Sequence, residues 1–186
     1  AMGADRVIHI CDDKLAGSDA LVTATVLSSV IKTLKYDLIL CGKLSVDTNN
    51  CQVGQMIAEL LNIPHQSFIM KLEIQGNKAV VQRDVEGGKE VVETPLPALF
   101  TAEKDLNKPR YPSLPGIMKA RQKEVKLIDL SAIQLDQKTV GKEGSLTHLT
   151  DLSYPPKRKG GRIIEGEPRE AVKTLANALR EEARVV

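Results

Sequence analysis

Apolar and polar positions change period several times along the chain, and each change marks an element. "RVIHI" (6–10) and "YDLILCG" (36–42) are short β-branched or aliphatic runs closed by polar or glycine residues, the pattern of buried strands. Between them Ala20, Ala24, Leu27, Ile31 and Leu34 recur at helical spacing, which predicts a helix with one apolar stripe and Ser18 as its N-cap. Strand, helix and strand in succession make a βαβ unit, the building block of parallel sheets with helices on their faces. Val53, Met56, Ile57, Leu60 and Leu61 share one face of a second helix, with Pro64 as its stop. The period then drops to two. "MKLEIQGNKAVVQRDVEGGKEVVETPLPALFTA" (70–102) alternates apolar and polar residues, with turn signals at Gly76-Asn77 and Gly87-Gly88, so two successive antiparallel hairpins are expected. "EVKLIDL" (124–130) reads as one more strand. Residues 136–162 hold few apolar residues and end in "PPKRKGGR", an extended arm; Pro168 at a helix N1 position then leads Val172, Leu175 and Leu179 along a last amphipathic helix. The fold class is α/β: a mostly parallel sheet with an antiparallel hairpin excursion.

Bulk composition narrows the function classes. With 186 residues and 42% hydrophobic content the chain can bury one good core. A net charge of +2 and 3% aromatics, with no Trp, speak against a nucleic-acid partner that binds through a basic face or a stacking platform. Cys11, Cys41 and Cys51 lie far apart, without a C-x-x-C or a neighbouring His pair, and read as reduced thiols, not as a disulfide frame or zinc site. His9, His65 and His148 have no catalytic or metal-ligand spacing. No apolar run reaches membrane-spanning length. The first residue is Ala1, which suggests a piece of a longer chain.

One stretch is harder to account for by folding alone. "GKLSVDTNNCQVGQM" (42–56) sets small polar side chains between a buried strand and a helix. In open α/β sheets ligands bind beyond the carboxyl ends of the strands. Gly42 is expected to let the backbone turn sharply, and Asp47, Thr48, Asn49 and Asn50 to cap the following helix. Amides left free there, with the positive end of the helix dipole, suit a phosphate; Asn and Gln side chains suit an adenine edge or ribose hydroxyls. A P-loop is excluded, because Asp37 and Leu44 stand where it needs Gly and Ser or Thr, and no G-x-G-x-x-G is present. On spacing alone, an ordinary capped βα loop accounts for the stretch as well as a nucleotide grip does.

Four separated segments together resemble one family, the β subunit of electron transfer flavoprotein. "AMGADR" leads into the first strand, "DLILCGKLSVDTNNCQVGQM" looks like the family's adenine-nucleotide loop, "VVQRDVEGGKEVVETPLPALFTA" is similar to its signature segment, and "RYPSLPGIMKARQK" looks like its partner-recognition loop. They stand in the family's order from Ala1 to about Leu130. The resemblance implies a three-layer α/β sandwich of the adenine-nucleotide α-hydrolase-like kind. It implies AMP, or a second FAD, bound by Gly42, Lys43, Leu44, Ser45, Val46, Asp47, Thr48, Asn49, Asn50, Cys51, Gln52 and Val53. Asp47 matches the family directly, while Cys51 and Val53 stand where many members carry Asn and Thr.

The family also implies an α subunit as partner, with a redox FAD shared between the two chains. Asp84 falls where some members have a Glu facing an arginine of that subunit. Leu114 resembles an anchor that enters an apolar pocket on acyl-CoA or related dehydrogenases, with Pro115, Ile117, Met118 and Lys119 beside it. Pro112 and Pro115 restrict that loop and lower its ordering cost. A staple packed on its own helix is the plainer alternative for Leu114. Lys119, Arg121 and Lys123 form either a solvated helix face or a steering patch for an acidic partner.

By this resemblance the chain is an electron carrier subunit and not an enzyme, active in the bacterial or archaeal cytoplasm or the mitochondrial matrix. The family has a preceding strand–helix region with further contacts, so an N-terminally truncated member is expected, with the nucleotide domain over 1–135 and a partner-wrapping arm and helix over 136–186. Two other readings share the fold. A nucleotide-hydrolysing enzyme would need a Ser/Gly-rich phosphate loop after the first strand, and a nucleotide-sensing module would not need the proline-bracketed leucine.

Overall fold

A computed structural model of the chain describes residues 1–157 and 160–185. It divides into two units, Ala1–His148 and Leu149–Val186. In the first, strands β1 (Val7–Ile10), β2 (Leu38–Gly42), β3 (His65–Gln75), β4 (Lys78–Val85), β5 (Gly88–Pro95), β6 (Ala98–Ala102) and β7 (Val125–Ile128) alternate with helices α1 (Ala20–Ile31), α2 (Val53–Leu61), α3 (Leu114–Ala120) and α4 (Gly141–Gly144). β1 and β7 pair in parallel, and the other five strands form one sheet in the order β2-β6-β3-β4-β5. There β2, β6 and β3 run parallel, whereas β3-β4 and β4-β5 are the two expected hairpins. The architecture is a three-layer α/β sandwich with an antiparallel excursion.

Helix α1 is apolar on two faces. Val22, Val26 and Val30 pack against Ile8, Ile10 and Ile128 of the β1-β7 pair and against Leu130, Ile133 and Val140. Ala24, Leu27 and Ile31 face α2 and Leu99 of β6 instead. The stripe expected from the sequence is this second face; Leu34 falls beyond the end of the helix. A helix with packing partners on both sides needs apolar residues on both faces. Ala98 and Phe100 of β6 point the other way, into a cluster with Ile69, Ala79 and Val81.

Three boundary expectations are corrected. The N-cap of α1 is Asp19, whose carboxylate accepts from the Val22 amide at 2.9 Å, while the Ser18 hydroxyl donates to the Leu15 carbonyl. Helix α2 ends on Asn62 in the left-handed region (φ 55°), two residues before Pro64. The second hairpin turns on Glu86-Gly87, with φ +84° at Gly87, and Gly88 already pairs with Val85.

Asp19 also fixes a distant segment. Its second oxygen accepts from the Leu146 and Thr147 amides at 2.8 and 3.1 Å, and its own amide donates to the buried Ser145 hydroxyl at 2.8 Å. The Val22 amide first, then the 146–147 amides, hold its carboxyl below the usual range. A carboxyl lowered in the folded state stabilises the fold above its unfolded pKa, and that contribution fades as the pH falls through the folded value. Asp19→Ala is expected to cost about 1–2 kcal/mol at neutral pH, read by denaturant unfolding. The gap to the parent should narrow toward acid; a constant gap would contradict the ionised latch.

In the second unit the described residues before α5 (Pro168–Asn177) form no helix or strand; α5 starts with Pro168 in its first turn and continues as a π turn over Ala178–Glu182. Val172 and Leu175 are exposed, and Arg162 pairs with Glu182 at 3.3 Å. Arg158 and Lys159 of the basic "PPKRKGGR" stretch lie outside the described residues.

Candidate functional site

Strands β2 and β6 run side by side and end together at Gly42 and Ala102. The loop that follows stands on this carboxyl edge, where an α/β sheet presents its ligand sites. Gly42 does not make the expected turn: it stays in the strand opposite Ala102, and the Lys43 amide extends the ladder to the Ala102 carbonyl at 3.1 Å. The chain reverses farther on, where Asn49 and Cys51 both adopt left-handed backbone, φ 56° and 54°. Asn tolerates this conformation, whereas at Cys51 it costs about 1–2 kcal/mol. Strain of this kind collects at ligand clamps.

Residues 44–50 are exposed, Val46 to 96%. The loop is closed on itself by the Asn49 amide to the Ser45 carbonyl, 3.0 Å, and by the Ser45 and Thr48 hydroxyls, 3.0 Å apart. The Ser45 hydroxyl, then the Thr48 amide, hold the Asp47 carboxyl below its ordinary range. Asp47 is therefore an acceptor at neutral pH, suited to ribose hydroxyls and not to phosphate.

Asp47, Thr48, Asn49 and Asn50 do not cap α2. Its N-cap position is Gln52, which makes no side-chain cap. Among the described residues no acceptor is paired with the Val53, Gly54 or Gln55 amide. A helix start with free amides carries partial positive charge and suits an anion. The Gln55 side chain donates to the Ser67 hydroxyl at 3.0 Å, and its buried Oε1 has no partner.

Lys43 takes a different part. Its ammonium meets Glu103 at 2.5 Å and lies 5.2 Å from the centre of the Phe68 ring. The bond between them raises the lysine's pKa and lowers the glutamate's. Lys43 thus clamps the ends of β2 and β6, which leaves the unpaired amides of α2 as the donors able to meet an anion. Phe68 itself sits in left-handed backbone (φ 60°) at a break in the β3 register, and its amide donates to Thr101 Oγ1 at 2.9 Å. Phe68, Glu103, Thr101 and Gln55 were not legible as site residues. An acid directly after a strand parallel to β2 is the one signal that pointed toward Glu103.

Two hollows lie elsewhere, and neither is lined by the 42–53 loop. One of about 570 Å³ opens at the ends of β1 and β7, but its carboxylates are engaged as caps: Asp12 binds the Lys14 and Leu130 amides, Asp129 that of Ala132, and Asp136 that of Lys138. A second, of about 460 Å³, is lined by Pro115, Met118, Lys119, Arg121 and Gln122. Leu114 stands 72% exposed at the start of α3, with Ile117 and Met118 also exposed, so it is not packed as a staple. Asp84 is exposed on β4, three strand positions from β2, roughly 14 Å across the sheet. It is not part of the loop site. Among the described residues no three His, Cys, Asp or Glu side chains are arranged to hold a metal ion, and no helix is long and apolar enough to cross a membrane.

Residues 1–133 match the model of the electron transfer flavoprotein domain. The chain belongs to the electron transfer flavoprotein family. Within it the likeness is to β subunits: 41% identity to that of Thermoanaerobacterium thermosaccharolyticum, over 96% of this chain and 69% of that protein. The Bacillus subtilis β subunit is 42% identical over all of this chain and 72% of its own length. Subunit CarD of the caffeyl-CoA reductase-Etf complex of Acetobacterium woodii is 36% identical, over 97% of this chain and 70% of its own. The 42–53 loop and α3 both lie inside the matched domain.

Proposed function

We propose that this chain is the β subunit of a heterodimeric electron transfer flavoprotein that holds AMP or a second FAD on the 42–53 loop. Its partner is the α subunit, with which it shares the redox FAD, and it does no bond-making chemistry of its own. The observation that carries the reading is the uncapped start of α2 behind an exposed, strained polar loop at the carboxyl edge of β2 and β6. In this assignment the α2 amides take phosphate, Asp47 takes ribose hydroxyls, and the Asn and Gln side chains of the loop face adenine. The nucleotide is a structural ligand: by binding only the folded state it stabilises it through mass action.

The exposed face of α3, with Leu114 leading and Ile117 and Met118 behind, is the docking surface for acyl-CoA or related dehydrogenases. A relative named for a caffeyl-CoA reductase complex supports a partner that handles CoA thioesters. The arm and α5, with Val172 and Leu175 exposed, wrap the α subunit. Asp84 faces that subunit as well. Co-expression with an α subunit tests the assignment. A yellow one-to-one complex is expected on size exclusion; colourless, unassociated protein overturns it.

A further inference from the structure

The stretch from 107 to 127 is exposed at every residue but three, Gly116, Ala120 and Lys123, which lie at helical spacing on one face of α3 and the turn after it. Helix α3 has seven residues and buries none of them. A helix this short does not hold its shape or direction alone. Its seat is the backbone of Ala1–Ala4. A methyl group on Gly116 would come 2.5 Å from the Ala1 carbonyl oxygen, so helix and backbone touch there. At the other end of the same face Lys123 Nζ donates to the Ala4 carbonyl. Among the described residues this is the one hydrogen bond that leaves segment 107–123. The next tie, from the Val7 amide to the Glu124 carbonyl at 3.0 Å, already belongs to the β1-β7 ladder.

We propose that Lys123 is a positioning residue for partner docking: tied to the Ala4 carbonyl, it fixes the direction of α3 so that Leu114, Ile117 and Met118 present one apolar face. The proposal rests on the reading of α3 as the dehydrogenase-docking helix. It separates Lys123 from Lys119 and Arg121, whose side chains are exposed and lie off the seated face. The ammonium has three donors on a flexible stem and the Ala4 carbonyl takes one, so arginine can replace the donor and methionine cannot.

The test uses the assembled flavoprotein complex with a butyryl-CoA dehydrogenase and butyryl-CoA as electron source. Lys123→Met is expected to raise the KM for the complex about fivefold with kcat unchanged, the effect of losing one charge-assisted hydrogen bond at a partly exposed site. Lys123→Arg should restore the parent KM. Flavin reduction by dithionite should be unchanged, and hydrogen exchange at the Ile117 amide should quicken in Lys123→Met but not in Lys123→Arg. Gly116→Val, which displaces the helix from the opposite end, should reproduce the KM effect. It keeps the question open to test should Lys123→Met fail to assemble. A parent-like KM in Lys123→Met or Gly116→Val, beside a raised KM in Leu114→Ala, overturns the positioning role. Parent-like values in Leu114→Ala as well defeat the docking reading, and the proposal falls with it.

Discussion

Gly54→Val is expected to lower the melting temperature of the assembled complex by about 5–10 °C and to empty its nucleotide site. The reason lies in how closely α2 rides on the sheet. A Cβ at Gly54 would stand 2.6 Å from the Thr101 methyl, 3.5 Å from Leu99 Cδ2 and 3.6 Å from the Cys41 Cβ. Thr101 is buried and cannot turn aside, because its hydroxyl holds the Phe68 amide at 2.9 Å. Relief must come from moving the first turn of α2, and overpacking of this kind costs about 1–3 kcal/mol. That turn carries the free Val53, Gly54 and Gln55 amides, so stability and ligand retention should fall together. A parent-like melt would mean that α2 does not sit as closely on β6 as described. Retained nucleotide in a destabilised variant would detach the ligand from this helix.

Leu114→Ala is expected to raise the KM of the complex for an acyl-CoA dehydrogenase about tenfold or more, with flavin reduction by dithionite unaffected. Burying an aliphatic side chain is worth roughly 1.5–3 kcal/mol, and each 1.4 kcal/mol is a factor of ten. Most of that gain is available, since Leu114 is exposed in the free chain. Pro115 lies in the first turn of α3, and Ser113 caps it by accepting the Gly116 amide at 3.2 Å. Steady-state titration with the dehydrogenase reads the effect. An unchanged KM would remove α3 from the docking surface.

Much of the fold was legible because the periods are clean. The alternation over 70–102 fixed both hairpins, and the stripe from Val53 to Leu61 fixed α2. What the sequence concealed depends on neighbours distant along the chain. The Val22, Val26 and Val30 face of α1 acquires its meaning from β1 and β7, and β7 lies about a hundred residues away in sequence. Asp19 outcompetes Ser18 as a cap because it also binds the Leu146 and Thr147 amides. Residues 136–148, sparse in apolar side chains, still supply buried Val140 and Ser145 to the first unit.

The candidate site divides in the same way. Its location after β2 follows from local pattern and the general habit of α/β sheets. Its inner workings do not. The Lys43–Glu103 clamp spans sixty residues of sequence, and the left-handed turns at Cys51 and Phe68 fall on residues for which propensity favours other conformations. The absence of a side-chain cap on α2 was the reverse of the expectation, and it strengthens the case for an anion there. Four residues able to cap were available, and the loop geometry turns them elsewhere.

Everything proposed for the site turns on whether the 42–53 loop holds a nucleotide in the assembled protein. The most direct measurement is to purify the complex with its α subunit, release non-covalent ligands by heat, and quantify adenine nucleotides by chromatography and mass spectrometry. An adenine nucleotide beyond the one redox flavin is expected, either AMP or a further FAD, lost selectively in Gly54→Val. Adenine equal to the redox flavin alone would contradict it.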